Sequence, residues 1–260
     1  MSVASAVSST FASSLIRLRL KHREEEFVEE RSPLVPREER ERLIKAFSAV
    51  DRNITSAHSP AELLFIARTI LALPIGGAIV ECGSYKGAST AKLSLIAKAT
   101  GRKLYVCDTF QGLPEPVGAG VYHRANNSQR QFQAGEYAGS LQEVRENIRR
   151  WGSLEVCSFV QGLFEQTLPQ LHVEPAAVFV DVDYISSARD CLKYLWPQLR
   201  SGGYFFTHEA TFVEYVEGIA DGDWWHENLG RCPPVLFGAG YGVESLAPYV
   251  AFFRKRETAA

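Results

Sequence analysis

The sequence lacks three features that would place it in a class at once: a surplus of charge, a regular cysteine pattern and a long apolar run. Its 28 Lys and Arg residues nearly balance 30 Asp and Glu residues, so the formal net charge is −2. A protein that coats nucleic acid needs a clear basic surplus to neutralise phosphates. The charge balance therefore argues against a nucleic-acid partner.

The cysteines and the short apolar runs exclude further classes. The chain has five cysteines, widely spaced and without a Cys-x-x-Cys pair, which argues against a disulfide scaffold or a zinc knuckle and favours free thiols. The most apolar stretch, residues 61–80, is interrupted by Glu62, Arg68 and Pro74, so it is too polar for a membrane span. In residues 1–22 the basic side chains follow the apolar part, opposite to a secretory signal. We expect a cytoplasmic protein that contacts no membrane.

Residues 1–50 differ from the rest of the chain in their density of charge. Acidic runs at residues 24–26 and 29–30 are followed by a mixed run at residues 37–42. Such a pattern is typical of a solvated helical segment. We predict a charged, largely helical N-terminal extension over residues 1–50 that joins copies of the chain into a homodimer or higher homo-oligomer. One domain is predicted over residues 51–260.

From about residue 55 onwards, short apolar runs alternate with helical patterns. Ser59, Pro60 and Glu62 have the order expected at a helix start: an N-cap, a proline and an acid in the first turn. The predicted strands cover residues 78–82, 103–108, 156–160, 176–180, 204–207 and 250–253, and the predicted helices between them cover residues 88–99, 139–150 and a segment from residue 186. This alternation is typical of right-handed β-α-β units. The predicted fold is therefore α/β, with a mostly parallel sheet and helices on both faces.

Two other segments are unusual in composition. Residues 112–140 form a long connection rich in Gly, Pro, Asn, Ser and Gln after a predicted strand end, and ligands bind at such strand ends in open α/β sheets. We therefore predict a lid over a substrate. Residues 223–242 combine paired tryptophans with a glycine-rich turn, which fits either the wall of an acceptor pocket or an ordinary core.

The sharpest local signal is a glycine turn between the first predicted strand and the helix that follows it. Gly83 and Gly87 let the backbone approach a ligand, and the helix N-terminus adds free N–H groups. The turn has neither the Walker A spacing nor that of the dinucleotide fingerprint. Glu81, at the strand end, would repel a pyrophosphate but suits an ammonium group, while Asp108, at the next strand end, is placed to accept ribose hydroxyls. Together they indicate S-adenosylmethionine; otherwise both acids only cap strand ends.

Several segments resemble the macrocin O-methyltransferase (TylF-like) family, and the Asp-Thr-Phe-x-Gly-Leu-Pro element at residues 108–114 is the most specific of them. The others are residues 80–87, residues 144–147 with Gly152, residues 180–184 and residues 195–204. The resemblance implies a Rossmann-like class I methyltransferase fold, S-adenosylmethionine as donor and O-methylation of a small-molecule acceptor, such as a sugar or another secondary metabolite. By position it implies cofactor contacts from one set of residues: Glu81, Gly83, Ser84, Tyr85, Gly87, Ser89, Asp108, Thr109, Phe110, Gly162 and Asp181.

The resemblance also implies a magnesium ion held by carboxylates after the fourth and fifth strands, where Asp183, His208 and Glu209 lie. The chain departs from the family here, because His208-Glu209-Ala210 stands where Asp-Asp-Tyr is usual. An imidazole shifts the metal preference from magnesium towards manganese, iron or zinc. Three interpretations stay open. The three residues form a site for a divalent metal, magnesium or manganese, beside which Asp183 or His208 takes the substrate proton; His208 is a metal-independent general base; or His208 and Glu209 have a structural role.

Two further functions stay open beside O-methylation. One is metal-independent N- or C-methylation with His208 as base, and the other is a cofactor-binding scaffold that has lost catalysis. Among the remaining histidines, His123 in the predicted lid could meet a substrate. His22, His58 and His172 have no chemistry-bearing companions near them in the sequence.

Overall fold

A mostly parallel sheet forms the centre of the computed structural model, which describes residues 3–30, 34–116, 120–124 and 127–256, with side chains from residue 14 onwards. Its strands and those of a separate hairpin are β1 (Ala78–Cys82), β2 (Leu104–Asp108), β3 (Val121–His123), β4 (Ser128–Arg130), β5 (Cys157–Gln161), β6 (Pro175–Val180), β7 (Tyr204–Thr207) and β8 (Ala251–Arg254). The sheet has the order β5-β2-β1-β6-β7-β8, in which β8 pairs antiparallel with β7 and the other neighbours are parallel. The hairpin is formed by β3 and β4. The predicted α/β class is confirmed.

Helices pack on both faces of this sheet. They are α1 (Val3–Glu29), α2 (Arg37–Asn53), α3 (Pro60–Leu71), α4 (Ala88–Ala99), α5 (Leu141–Trp151), α6 (Phe164–Thr167), α7 (Ile185–Leu195), α8 (Val213–Ile219) and α9 (Gly222–Leu229). Side chains alternate between the two faces of a strand, so Ile79 and Phe179 join one buried apolar cluster with α2 to α5. Val80 and Val180 join a second cluster with α7 to α9.

The strand order places a crevice at the carboxyl end of β1. The chain runs outward from β1 through β2 to β5, and then continues on the other side of β1 with β6 and β7. Ligands bind at such a switch point in open α/β sheets. The register pairs Cys82 with both Cys107 and Val180, and it pairs Val180 with Thr207. The residues that follow these four strands therefore lie side by side.

The helices begin where the local sequence provides a cap. Ser59 and Glu62 form a reciprocal capping box at the start of α3, and Ser140 accepts a hydrogen bond from the backbone N–H of Glu143 at the start of α5. Helix α4 follows Gly87, whose φ of 86° lies in the left-handed region that favours glycine. The predicted helix at residues 88–99 is confirmed, because local turn and cap signals specify it.

The N-terminal segment is helical over α1 and α2, and its buried side chains join the core of the domain. Phe27 of α1 and Phe47 of α2 belong to the same apolar cluster as α3 to α5. The guanidinium of Arg40 donates to the backbone oxygen of Phe27 at 3.0 Å, which ties α2 to the end of α1. Residues 1–2 and 31–33 lie outside the described residues. The domain boundary at residue 51 stays a prediction.

The structure also shows where the two segments of unusual composition lie in the fold. Residues 112–140 contain the β3–β4 hairpin and several turns, while residues 117–119 and 125–126 lie outside the described residues, and the lid stays a prediction. In the second segment, Trp225 is fully buried against Trp196 and Phe253, so it belongs to the core rather than to a pocket wall. Across the described part of the chain, none of the helices has both the length and the apolar character of a bilayer span.

Candidate active site

A cavity of about 330 Å³ opens at the carboxyl ends of β1, β2, β6 and β7. Its wall includes most of the residues that the sequence predicts at the site: Gly83, Ser84, Tyr85, Ser89, Asp108, Thr109, Asp181, Asp183, His208 and Glu209. The strand register explains this convergence, because it brings the four strand ends to one edge of the sheet.

Asp108 holds the glycine turn and the end of β2 together. Its Oδ2 accepts hydrogen bonds from the backbone N–H and the hydroxyl of Ser84, at 2.6 and 3.0 Å, and its Oδ1 accepts one from the N–H of Phe110 at 2.7 Å. Gly83 is required in this turn, because a Cβ there would lie 1.9 Å from the backbone oxygen of Asp181. The hydroxyl of Thr109 lies 3.5 Å from Oδ1 but donates at 3.0 Å to the backbone oxygen of Gly112. Each carboxylate oxygen has two lone pairs, so Oδ1 keeps one of them for a ligand in the cavity.

Four residues predicted to contact the cofactor lie behind the cavity wall. Gly87 caps α4, the ring of Phe110 packs against Phe159, and the N–H of Gly162 donates to the backbone oxygen of Asp108 at 3.0 Å. Glu81 is fully buried, and neither of its carboxylate oxygens has a hydrogen-bond partner among the described residues. These residues support the wall, and a direct contact with the cofactor stays a prediction for each of them.

The pKa of Glu81 reflects this position. Burial penalises the carboxylate form and raises the pKa from 4.5 to about 8, while the nearby hydroxyls of Ser89 and Thr90 lower it only in part. The side chain is therefore neutral at neutral pH. A cationic ammonium group close to Glu81 would lower this pKa again, because a nearby positive charge favours the carboxylate form.

Asp181 is the centre of a charged cluster. The cluster includes His58, which no pattern in the sequence predicts at the site. Its Oδ2 lies 2.9 Å from Nε2 of His58, and its Oδ1 lies 3.5 Å from Nδ1 of His208. Burial would raise the pKa of Asp181, but the two imidazoles hold it well below its usual value. The interpretation of His58 as a residue without companions is therefore corrected. Its partners follow β6 and β7, and only the folded chain brings them to the loop before α3.

His208 lies between two carboxylates. Its Nδ1 faces Asp181, and its Nε2 lies 3.2 Å from Oε2 of Glu62, a residue of α3 that is only 1% exposed in its side chain. Burial lowers the pKa of His208, but the charges of Asp181 and Glu62 outweigh it and hold the pKa well above 6.5. Each of its nitrogens lies against a carboxylate of the protein, and an imidazole protonated at both nitrogens has no lone pair for a substrate proton. This geometry argues against His208 as the general base.

The carboxylate of Glu209 accepts hydrogen bonds from neighbouring residues of the protein. Its Oε1 accepts from the backbone N–H groups of Val182 and Asp183, at 3.2 and 3.3 Å, and its Oε2 accepts from the hydroxyl of Thr207 at 2.6 Å. Burial raises the pKa of Glu209 to about 7. These bonds hold the turn after β6, in which Asp183 has a left-handed φ of 59°. Glu209 therefore positions Asp183 at the cavity.

The donor atoms present do not fit a magnesium ion held by carboxylates. Within the described residues, the group whose donor atoms lie together consists of His58, Asp181 and His208, which offers two nitrogens and one carboxylate. Magnesium requires an octahedral shell of oxygen ligands. Of the predicted set of Asp183, His208 and Glu209, only His208 belongs to this group.

The opposite wall of the cavity combines aromatic rings with a few polar groups. The guanidinium of Arg130 lies 4.7 Å from the ring centroid of Phe132, and the ring of His123 packs edge-on against Phe212 and Tyr249, at 5.0 and 5.4 Å. All five residues line the cavity. Phe212 and Tyr249 carry no signal in the sequence, because isolated aromatic residues are most often core. This wall suits a molecule with apolar faces and hydroxyl groups.

Comparisons with known proteins agree with this geometry. The model of the macrocin O-methyltransferase (TylF) family matches residues 23–221, which is more than half of the chain. A protein of Streptomyces olivaceus is 33% identical over 187 residues, which is 70% of each chain, and it is an 8-demethyl-8-(2,3-dimethoxy-alpha-L-rhamnosyl)-tetracenomycin-C 4'-O-methyltransferase.

Solved structures show the same fold at lower identity. The O-methyltransferase NovP aligns with a TM-score of 0.55 and 22% identity, covering 83% of this chain and 80% of its own. The calicheamicin methyltransferase CalS11 aligns with a TM-score of 0.56 and 17% identity, covering 86% and 94%. Both confirm the class I methyltransferase fold expected from the sequence.

The family match decides between the functions that the sequence left open. N- or C-methylation and an inactive scaffold both give way to O-methylation with S-adenosylmethionine as donor, which is the reaction of the matched family. The site agrees, because the turn that holds Asp108 and the charged cluster around Asp181 share one cavity. The chain belongs to the macrocin O-methyltransferase (TylF) family of S-adenosylmethionine-dependent O-methyltransferases.

Proposed function

We propose that the protein methylates a hydroxyl on the sugar part of a glycosylated small molecule. The observation that carries this proposal is the cavity wall, in which His123, Arg130 and Asp183 supply polar groups between the rings of Phe132 and Tyr249. A sugar offers hydroxyls to the polar groups of this wall and apolar ring faces to its aromatic rings. The Streptomyces olivaceus relative, which methylates a rhamnosyl group, supports the same class of acceptor.

The glycine turn forms the cofactor side of the cavity. When it is bound, S-adenosylmethionine supplies a methyl group activated by its sulfonium. Oδ1 of Asp108 has one lone pair for a ribose hydroxyl, and Ser84 fixes the carboxylate through two hydrogen bonds to Oδ2. Tyr85 and Thr109 extend this wall on either side. The chain thus positions the donor, which is most of what a reactive sulfonium needs.

Cofactor binding is tested by removing the Asp108 carboxylate. We expect Asp108→Ala to weaken the binding of S-adenosylmethionine at least tenfold in calorimetry, because it removes the ribose acceptor and releases the Ser84 turn. Glu155→Ala, which removes an exposed acid paired with Lys98, is the matched control and should bind as the parent does. Unchanged binding in Asp108→Ala would contradict the assignment.

Asp183 is the group that we assign to remove the proton of the acceptor hydroxyl. It lines the cavity, and Glu209 holds its backbone in place through the N–H groups at residues 182 and 183. Burial, together with the carboxylates of Asp181 and Glu209, raises the pKa of Asp183 well above its usual value, which makes it a stronger base. His208 instead keeps both nitrogens against carboxylates.

Methyl transfer to a panel of acceptors tests the function. We expect label from S-adenosylmethionine to appear in the sugar part of glycosylated aromatic compounds and not in the matching aglycones, as mass-spectrometric fragmentation would show. Asp183→Asn should lower kcat about 10²–10⁴-fold, the usual contribution of a general base, with cofactor affinity unchanged. Asp190→Asn, on α7 away from the cavity, is the control. Label found only in aglycones would contradict the sugar assignment.

The described part of α1 supports a homo-oligomer, with the charged N-terminal segment at the contact. Leu15, Ile16 and Leu18 expose 41%, 55% and 65% of their surface, while Phe27 at the other end of α1 is buried in the domain core. A helix anchored at one end with apolar side chains exposed at the other favours a second copy of the chain as its cover. Cytoplasmic residence stays a prediction from the sequence.

A further inference from the structure

Three side chains with metal-binding donor atoms meet at the cavity wall, and they come from separate parts of the chain. His58 precedes α3, Asp181 follows β6 and His208 follows β7. One donor atom of each lies within 4.8 Å of the others. Donor atoms around a tetrahedral or octahedral ion, with bonds of about 2.1 Å, lie about 3 to 3.5 Å apart. A small contraction of this group would therefore enclose an ion.

Each imidazole of the group has one nitrogen towards Asp181 and the other towards an outer partner. In His58, Nε2 lies 2.9 Å from Asp181 and Nδ1 lies 3.4 Å from the hydroxyl of Ser56. In His208, Nδ1 lies 3.5 Å from Asp181 and Nε2 lies 3.2 Å from Glu62. Metal-ligating histidines characteristically donate their second ring N–H to such an outer oxygen, which fixes the ring. The two inner nitrogens are therefore in position to act as ligands once a cation replaces the protons that they carry.

The inner nitrogen of His58 lacks a proper hydrogen bond, which is a second and independent observation. The side chain is only 6% exposed. Although Nε2 is close to Asp181, it makes no hydrogen bond of acceptable geometry with any described residue, and the outer nitrogen of His208 makes none either. A buried polar atom without a partner costs folding free energy. A bound cation would take the lone pair of this nitrogen and remove that cost.

We propose that His58, Asp181 and His208 bind a divalent transition-metal cation in place of the magnesium ion expected from the family. Two imidazoles and one carboxylate suit manganese, iron, cobalt or zinc, because imidazole is a good ligand for these ions and a poor one for magnesium. Neither Asp183 nor Glu209 belongs to this group of donor atoms. The ion site shares the cavity of the proposed function but is testable by binding alone, without turnover.

Metal binding by the full chain tests the proposal. The protein is stripped with a chelator and titrated in turn with Mg²⁺, Mn²⁺, Co²⁺ and Zn²⁺ in a calorimeter, and the bound metal per chain is measured by mass spectrometry. We expect a single ion per chain, with Zn²⁺ and Co²⁺ bound at least tenfold more tightly than Mg²⁺. His58→Gln should weaken Zn²⁺ binding at least tenfold. His172→Gln is the matched control, because His172 lies near the amino end of β1, away from the cavity, and it should bind as the parent does.

A spectroscopic measurement on the unaltered chain covers the case in which His58→Gln fails to fold. Pulsed electron paramagnetic resonance of the Cu²⁺-loaded parent should show coupling to imidazole nitrogens. The proposal is overturned if the spectrum lacks this coupling, if Mg²⁺ binds most tightly, or if only protons bind and no ion is retained. A parent that binds Zn²⁺ as expected but methylates no acceptor would contradict the proposed function and leave the metal site standing.

Discussion

Glu81 is the residue whose predicted role differs most from its place in the structure. Its position at the end of β1 predicts a partner for the ammonium group of the cofactor, yet the side chain is fully buried and its oxygens have no hydrogen-bond partner among the described residues. Burial raises its pKa from 4.5 to about 8. Between these two pH values the unfolded chain is ionised at this residue while the folded chain is protonated, so stability falls as pH rises.

We therefore expect Glu81→Gln to reduce the loss of stability between pH 5 and pH 8. The parent should lose up to about 1.4 kcal/mol per pH unit from this group alone, and the neutral amide should not. The measurement is the free energy of unfolding in urea at the two pH values. Glu155→Gln, an exposed acid beside Lys98, serves as the control. Parallel pH profiles for the parent and Glu81→Gln would show that Glu81 ionises freely in the folded state.

Calorimetry on the same variant shows whether Glu81 contacts the cofactor or only supports the cavity wall. If Glu81 contacts the ammonium group, Glu81→Gln weakens the binding of S-adenosylmethionine. If Glu81 only supports the wall, affinity stays close to that of the parent, because Asp108 and Ser84 remain in place.

At the scale of elements, α3 connects the N-terminal part of the chain to the site. Its first turn contributes Glu62, which faces His208, and the residue before its cap is His58, which faces Asp181. The capping box between Ser59 and Glu62 fixes this turn, and the hydroxyl of Ser59 also donates to the backbone oxygen of Leu246 at 3.1 Å. The same cap therefore stabilises the helix and places two side chains at the cavity.

Removing the cap should affect both stability and activity. We expect Ser59→Ala to cost about 1 kcal/mol and to lower Tm by about 2–4 °C, the usual shift for a chain of this size, and also to lower kcat, because His58 and Glu62 lose their fixed position. Ser140→Ala removes the corresponding cap of α5 and should cost a similar free energy with a smaller effect on kcat. Scanning calorimetry and steady-state kinetics provide the two readouts. Equal effects of both variants on kcat would contradict the link between α3 and the site.

At the scale of the whole molecule, the exposed apolar side chains of α1 predict the state of assembly. We expect the parent to have twice the mass of one chain, or more, in size-exclusion chromatography with light scattering. Leu18→Asp should give a monomer, because Leu18 is 65% exposed and a charge there is costly at an apolar contact. Val235→Asp, at a residue 63% exposed and remote from α1 in sequence, should leave the assembly unchanged. A monomeric parent at all concentrations would contradict the role proposed for α1.

The general architecture was accessible from the sequence because its signals are local. Strand and helix alternation, the caps at Ser59 and Ser140 and the glycine turn at Gly83 each depend on residues close together in the chain. The same holds for Asp108, whose place at the end of β2 predicts that it lies at the cavity. The paired tryptophans were ambiguous for the opposite reason, since Trp225 meets Trp196 and Phe253 only in the folded core.

The sequence by itself determined the α/β class, the positions of the strand ends and the family, because patterning, caps and the glycine turn act over a few residues. Only the tertiary structure decided which charged groups meet. It placed His58 against Asp181, and Glu62 against His208, and it turned Glu209 towards the backbone and Glu81 into the core. The physical reason is that contacts between distant residues depend on sheet order and register, which no local pattern specifies.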